Sequence, residues 1–161
     1  MSKISPCLWF DNQAEEAAKF YTGVFKNSKI LEISRYNNAG EEVHGRKPGS
    51  VMTVSFELDG KTFTALNGGP RFSFTEAVSF QIDCKDQREV DYYWEELIDG
   101  GGKPVQCGWL KDKFGLSWQV VPVALKEMLM DKDTAKASRV MQAMLEMVKL
   151  DIATLRKAYE G

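Results

Sequence analysis

A single histidine, His44, is present in the 161-residue chain, and it sits in a polar stretch. With one imidazole, no Cys–His nucleophilic pair can be assigned from the sequence. Cysteine is scarce as well: Cys7, Cys84 and Cys107 are an odd set without Cys-x-x-Cys spacing. Free thiols in a reducing cytoplasm are the expected state. No apolar run approaches the ~20 residues that a membrane-spanning helix needs. The N-terminal stretch, Met-Ser-Lys-Ile-Ser-Pro-Cys, has no apolar signal-peptide core. Neither sign of charge dominates, since 21 Lys and Arg against 23 Asp and Glu leave a net charge of −2. That balance gives no footprint for nucleic acid or an anionic membrane.

What is there reads as one soluble globular domain with a sizeable core: 43% of residues are hydrophobic and 27% charged. Alternation predicts strands over Ile4–Phe10 and Lys29–Tyr36, with Leu8 and Phe10 on one face and Ser5, Cys7 and Trp9 on the other. Between them, Ala14, Ala17, Ala18, Tyr21, Val24 and Phe25 form a helical stripe, with Asp11 or Asn12 as its cap. Residues 37–50 read as a long loop. Asp59-Gly60 turns a hairpin between Val51–Leu58 and Lys61–Leu66. A strand over Ala77–Cys84 and a helix over 87–98 follow, and Gly100-Gly-Gly102 stops that helix. The last hairpin spans Cys107–Pro122, turning at Asp112–Gly115. In it Trp118 and Val120 face one way, and Ser117, Gln119 and Val121 the other.

The first module repeats at an offset of 72 residues without a gap: Leu8 falls on Phe80, Asp11 on Asp83, and Phe20-Tyr21 on Tyr92-Tyr93. The expected fold is α+β, with two β-α-β-β-β units at 1–70 and 71–122 and a helical extension over 123–161. Leu125, Met128 and Leu129 begin that extension. Asp133 caps a longer helix carrying Met141, Met144, Leu145 and Val148, and Asp151 caps a last turn. Its apolar face packs either on the β module or on a second copy.

Several stretches resemble a known family. They are Cys7-Leu-Trp-Phe-Asp11, Ala14 through Tyr21, Leu66-Asn-Gly-Gly-Pro70, Ala77-Val-Ser-Phe-Gln81, Gly108 through Gln119, and Lys149 through Leu155. Together they resemble the PhnB-like branch, labelled 3-demethylubiquinone-9 3-methyltransferase-like, of the vicinal oxygen chelate (glyoxalase/bleomycin-resistance/dioxygenase) superfamily. The resemblance implies that paired modules curl their sheets into a partly open barrel around a pocket, and that the chain pairs as a homodimer. In members with metal chemistry, His or Glu occupies four inward positions. These fall here on Ser5, Ala77, Gln119 and either Thr64 or Asn67. None carries an imidazole, thiolate or carboxylate, so no metal and no cofactor is expected. No glycine-rich strand-to-helix turn supports the methyltransferase label.

The candidate pocket residues are Ser5, Cys7, Trp9, Thr64, Asn67, Ser79, Gln81, Trp109 and Gln119. An aromatic wall with amides and hydroxyls suits a neutral, flat or amphipathic small molecule. The sequence thus points to a metal-independent small-molecule-binding protein. The alternative is an enzyme of the superfamily, either a methyltransferase as labelled or an atypical lyase or dioxygenase.

Overall fold

The computed structural model describes residues 2–161. The chain divides into two compact units, one reaching Ser73 and the other Phe74–Gly161.

The first unit holds β1 (Cys7–Phe10), α1 (Ala14–Val24), β2 (Lys29–Arg35), α2 (Glu41–His44), β3 (Val51–Leu58) and β4 (Lys61–Asn67). Its sheet has the order β1-β4-β3-β2, with β1 parallel to β4 and the other pairs antiparallel. Alternation puts Leu8, Phe10, Val54, Phe56, Leu58, Phe63 and Ala65 on one face, where they are buried. Against that face α1 lays Ala14, Ala17, Ala18, Tyr21 and Val24. The three alanines bring helix and sheet close, and the Tyr21 ring stacks on Phe56 at 6.2 Å between centroids. Burying a ring of this size contributes on the order of 2–3 kcal/mol.

Three local expectations are corrected here. The helix starts after Gln13, so Asp11 and Asn12 lie too far upstream to cap it. The cap comes from across the sheet instead: Asn67 Oδ1 accepts from the Ala14 amide at 2.8 Å, while Asn67 Nδ2 donates to the Val51 carbonyl at 3.1 Å. β2 does not alternate strictly, because a register shift between Ile30 and Glu32 brings Ile30 opposite Phe56 and Ile33 opposite Val54 on the helix side. The polar stretch 37–50 contains the short α2, after which the Arg46 amide donates to His44 Nδ1 at 2.9 Å.

The second unit holds β5 (Ser79–Cys84), α3 (Gln87–Ile98), β6 (Lys103–Pro104), β7 (Trp109–Lys111) and β8 (Ser117–Pro122), then α4 (Val123–Leu129), α5 (Thr134–Leu145) and α6 (Ile152–Glu160). Its sheet has the order β5-β8-β7-β6, again with the first strand parallel to the last. Ile82, Cys84, Leu110, Trp118 and Val120 are buried on the face toward α3, which supplies Val90, Trp94 and Leu97. The turn before β8 is built on Asp112, which is 3% exposed. Its Oδ1 accepts from the Phe114 and Leu116 amides at 2.9 and 3.1 Å, and its Oδ2 from Trp118 Nε1 at 2.8 Å.

The helical extension packs on the second unit. Val121, Leu125, Met128, Val140, Leu150 and Leu155 form its core, with Met144 partly buried against them. Asp133 and Asp151 cap α5 and α6 as expected. Gln87 pins the entry to α6: its amide nitrogen donates to the Leu150 carbonyl at 3.1 Å and its oxygen accepts from the Ile152 amide at 2.8 Å. Lys149 adds an ion pair to Asp91 at 2.8 Å.

The hydrogen bonds from Lys149 and Gln87 hold the Asp91 carboxyl below its ordinary range, and the Thr154 hydroxyl and amide do the same for Asp151. A carboxylate with a depressed folded pKa stabilises the fold above the unfolded value of ~4, and that contribution is lost as pH falls through the folded value. Hydrogen exchange at the α6 amides is therefore expected to speed up, relative to the core of the sheet, as pH falls below about 4. Lys149→Met should remove part of this pH dependence. An α6 whose relative protection is flat across that range would exclude the linkage.

Candidate functional site

In each unit one sheet face is packed by a helix. In the first unit the other face carries Cys7, Thr64, Ser55 and Glu32 in one row, and Trp9, Leu66, Thr53 and Ser34 in the next. Trp9 is held on three sides. Its Nε1 donates to the Gly69 carbonyl at 2.9 Å, Phe72 meets its ring edge-on at 4.9 Å, and its six-membered ring lies flat over Gly68. A Cβ at residue 68 would overlap that ring. Cys7 keeps an exposed edge, but partial burial raises its thiol pKa, the wrong direction for a nucleophile. Burial, with Glu89, Asp83 and Asp86 nearby, pushes Cys84 up to about 12.

Thr64 and Asn67 are separated by the structure. Thr64 pairs with Cys7 on the open face, whereas Asn67 is 7% exposed on the helix side and is occupied in capping α1. Ser5 and Ala77 are exposed and precede the strands β1 and β5, which are shorter than the alternation implied.

The second unit brings the predicted residues together. Gln81 lies opposite Gln119, and Gln119 opposite Trp109, so the three form one row across β5, β8 and β7. Gln119 Nε2 donates to Ser79 Oγ at 2.9 Å, and Gln81 Nε2 to Gln119 Oε1 at 3.3 Å. The next row runs Ser79, Ser117, Lys111 and Lys103, and in it Lys111 forms an ion pair with Glu76. The hydrogen bond from Lys111 keeps the Glu76 carboxyl below its usual range. On the other side of the glutamine row lie Asp83 and Val121. Val121 lies in the core of the helical extension, and Lys126 pairs with the exposed Asp83.

Sequence reasoning missed these two boundaries, because charge pairing between distant strands and helices leaves no local signal. It also left out Ser117, although period 2 puts it on the Gln119 face. Ser117 Oγ is buried and has no hydrogen-bond partner among the described residues. Trp118, read as core, is core at 3% exposure.

Residues 2–121 match the family described as 3-demethylubiquinone-9 3-methyltransferase. The chain belongs to this family, the PhnB-like branch of the vicinal oxygen chelate superfamily. A Bacillus cereus PhnB protein that carries the same family name is 34% identical, covering 76% of this chain and 100% of its own, with a TM-score of 0.66. Two fosfomycin-resistance proteins share the fold. FosX from Listeria monocytogenes, solved with Mn(II) and sulfate, is 16% identical over 80% of this chain and 94% of its own, with a TM-score of 0.53. FosX from Mesorhizobium loti is 14% identical over 81% and 100%, with a TM-score of 0.54. Among curated proteins none matches significantly. The family match stops at Val121, so the stretch Lys149 through Leu155 lies outside it.

The donor chemistry does not fit the metal that the superfamily implies. Ser5, Thr64, Ala77 and Gln119 offer two hydroxyls, a methyl and a neutral amide, and no group of three or more His, Cys, Asp or Glu converges among the described residues. A methyl donor of the kind the family name implies fits no better. The strand-to-helix connections at 11–13 and 85–86 contain no glycine, and Gly68 is filled by the Trp9 ring. No helix among the described residues is long and apolar enough to cross a membrane.

Proposed function

We infer that the protein is a metal-independent, small-molecule-binding member of the superfamily, built by duplication of one module and acting in the cytoplasm as a homodimer. The observation that carries the reading is the row Gln81, Gln119 and Trp109. It is an uncharged, hydrogen-bonding strip with an indole at one end, bounded on both sides by ion pairs already made within the fold. Such a surface orients a neutral ligand and lacks the acid, base or nucleophile that a reaction would need. The pairing is supported by Met141, Leu145 and Val148, which α5 and the segment after it leave 42–57% exposed. A symmetric contact would cover such a face.

Protein purified without chelators should contain substoichiometric zinc, iron and manganese. S-adenosylmethionine should leave its melting temperature unchanged. A stoichiometric metal, or a clear shift with the methyl donor, would favour the enzyme reading instead. Sedimentation should give twice the 18.2 kDa chain mass. A monomer at micromolar concentration would remove the dimer.

A further inference from the structure

The hydrogen bonds of the glutamine row can be counted to the end. Gln119 spends its oxygen on Gln81 and one N–H on Ser79. Gln81 spends one N–H and keeps its carbonyl oxygen beside the other N–H, and the residue is exposed. Turning both amides over reverses the chain but leaves Gln81 with an acceptor site and a donor side by side. Ser79 accepts from Gln119 and retains its own O–H. In the same row as Ser79 lies Ser117, whose buried hydroxyl has no partner among the described residues. A buried polar group without a partner is costly, and an occupant that supplies one relieves that cost.

Two of the lysines flanking this row already have partners. Lys111 is paired with Glu76, and Lys126 with Asp83. The row Gln81, Gln119 and Trp109 itself carries no charge, so an anionic or a cationic ligand laid along it finds no counter-ion there; Lys103, opposite Lys111 on β6, lies at the far edge of the neighbouring row. Trp109 supplies a flat aromatic surface at the β7 end of the row, next to Gln119.

Resting on the binding reading above, we propose that the Gln81–Gln119–Trp109 row binds a neutral planar molecule with an amide edge, a carbonyl beside an N–H, laid against the Trp109 indole. A side-chain amide meets such an edge with two parallel hydrogen bonds, the geometry by which Gln and Asn read the adjacent donor and acceptor of adenine. Stacking on an indole adds affinity for any flat π-system and selects against puckered rings. Ser79 supplies a hydroxyl for a second acceptor on the ligand.

The test titrates the isotope-labelled full chain with benzamide, with benzoate as its anionic isostere, and with toluene as the apolar control. Each is followed through the side-chain amides of Gln81 and Gln119 and the Trp109 indole N–H. Benzamide should shift all three, and should bind about tenfold more tightly than benzoate or toluene. Gln81→Leu should reduce benzamide affinity about tenfold while leaving toluene binding unchanged. Gln119→Leu serves as a second variant should the first fail to fold. Benzoate or toluene shifting the same resonances as strongly as benzamide would overturn the amide class and leave the binding face standing. If no probe moves these resonances up to its solubility limit, both the class and the face are wrong.

Discussion

Asp112→Ala is expected to destabilise the protein by about 3 kcal/mol or more. One carboxylate, nearly inaccessible to water, accepts from the Phe114 amide, the Leu116 amide and the Trp118 indole. Alanine leaves these donors without their acceptor, and Leu116 and Trp118 are themselves buried. An unmet buried donor costs roughly 1–3 kcal/mol. The turn would also lose the contacts that hold residues 112–116 in register, so the row containing Gln119 would shift with it. Asp112→Asn should fall between the two, because an amide can satisfy Phe114 and Leu116 only by turning an N–H toward the indole N–H. Urea unfolding read by tryptophan fluorescence measures all three proteins. A loss below about 1 kcal/mol in the alanine variant would show that water or rearrangement replaces the carboxylate.

The second large effect belongs to Gly68. An added methyl there would occupy the volume of the Trp9 six-membered ring. The ring must leave, giving up the Gly69 carbonyl and the Phe72 edge contact. Gly68→Ala should cost about 2–3 kcal/mol, in the range of overpacked cores, and expose Trp9 to water with a red-shifted emission. The same substitution in a Trp9→Ala background should cost little, because the obstacle has gone. Equal costs in both backgrounds would place the strain in the residue 68 backbone rather than in the ring.

The elements that could be read from the sequence are those whose determinants sit within a few residues of each other. The bounds of α3, the hairpin at Asp59-Gly60, the caps at Asp133 and Asp151, and the division of Trp118 from Gln119 all come from period, turn chemistry or a short polar side chain. The features that were missed depend on partners far away in the chain. Asn67 caps a helix that begins 53 residues earlier, and nothing around it distinguishes a capping Asn from one facing a ligand. The extra residue in β2 moves Ile33 to the helix side, and an apolar residue fits either count. For the candidate site, alternation supplied the residues of the glutamine row but not its limits, since Lys111 and Lys126 find their carboxylates only in the folded sheet.

The Gln87 clasp bears on the order in which the second unit can be completed. Its two backbone contacts reach residues 63 and 65 positions further along the chain. They stand in for one rung of a ladder, yet they cannot form until Leu150 and Ile152 have been synthesised. Until then Gln87 is hydrated, and Val121 lacks the part of its helical cover that Leu150 and Leu155 supply. Loop closure over such a span is entropically slow compared with closing the local hairpin 109–122. On a growing chain, the sheet and α3 can therefore assemble first, and the cover over Val121 is completed only when the last helix docks.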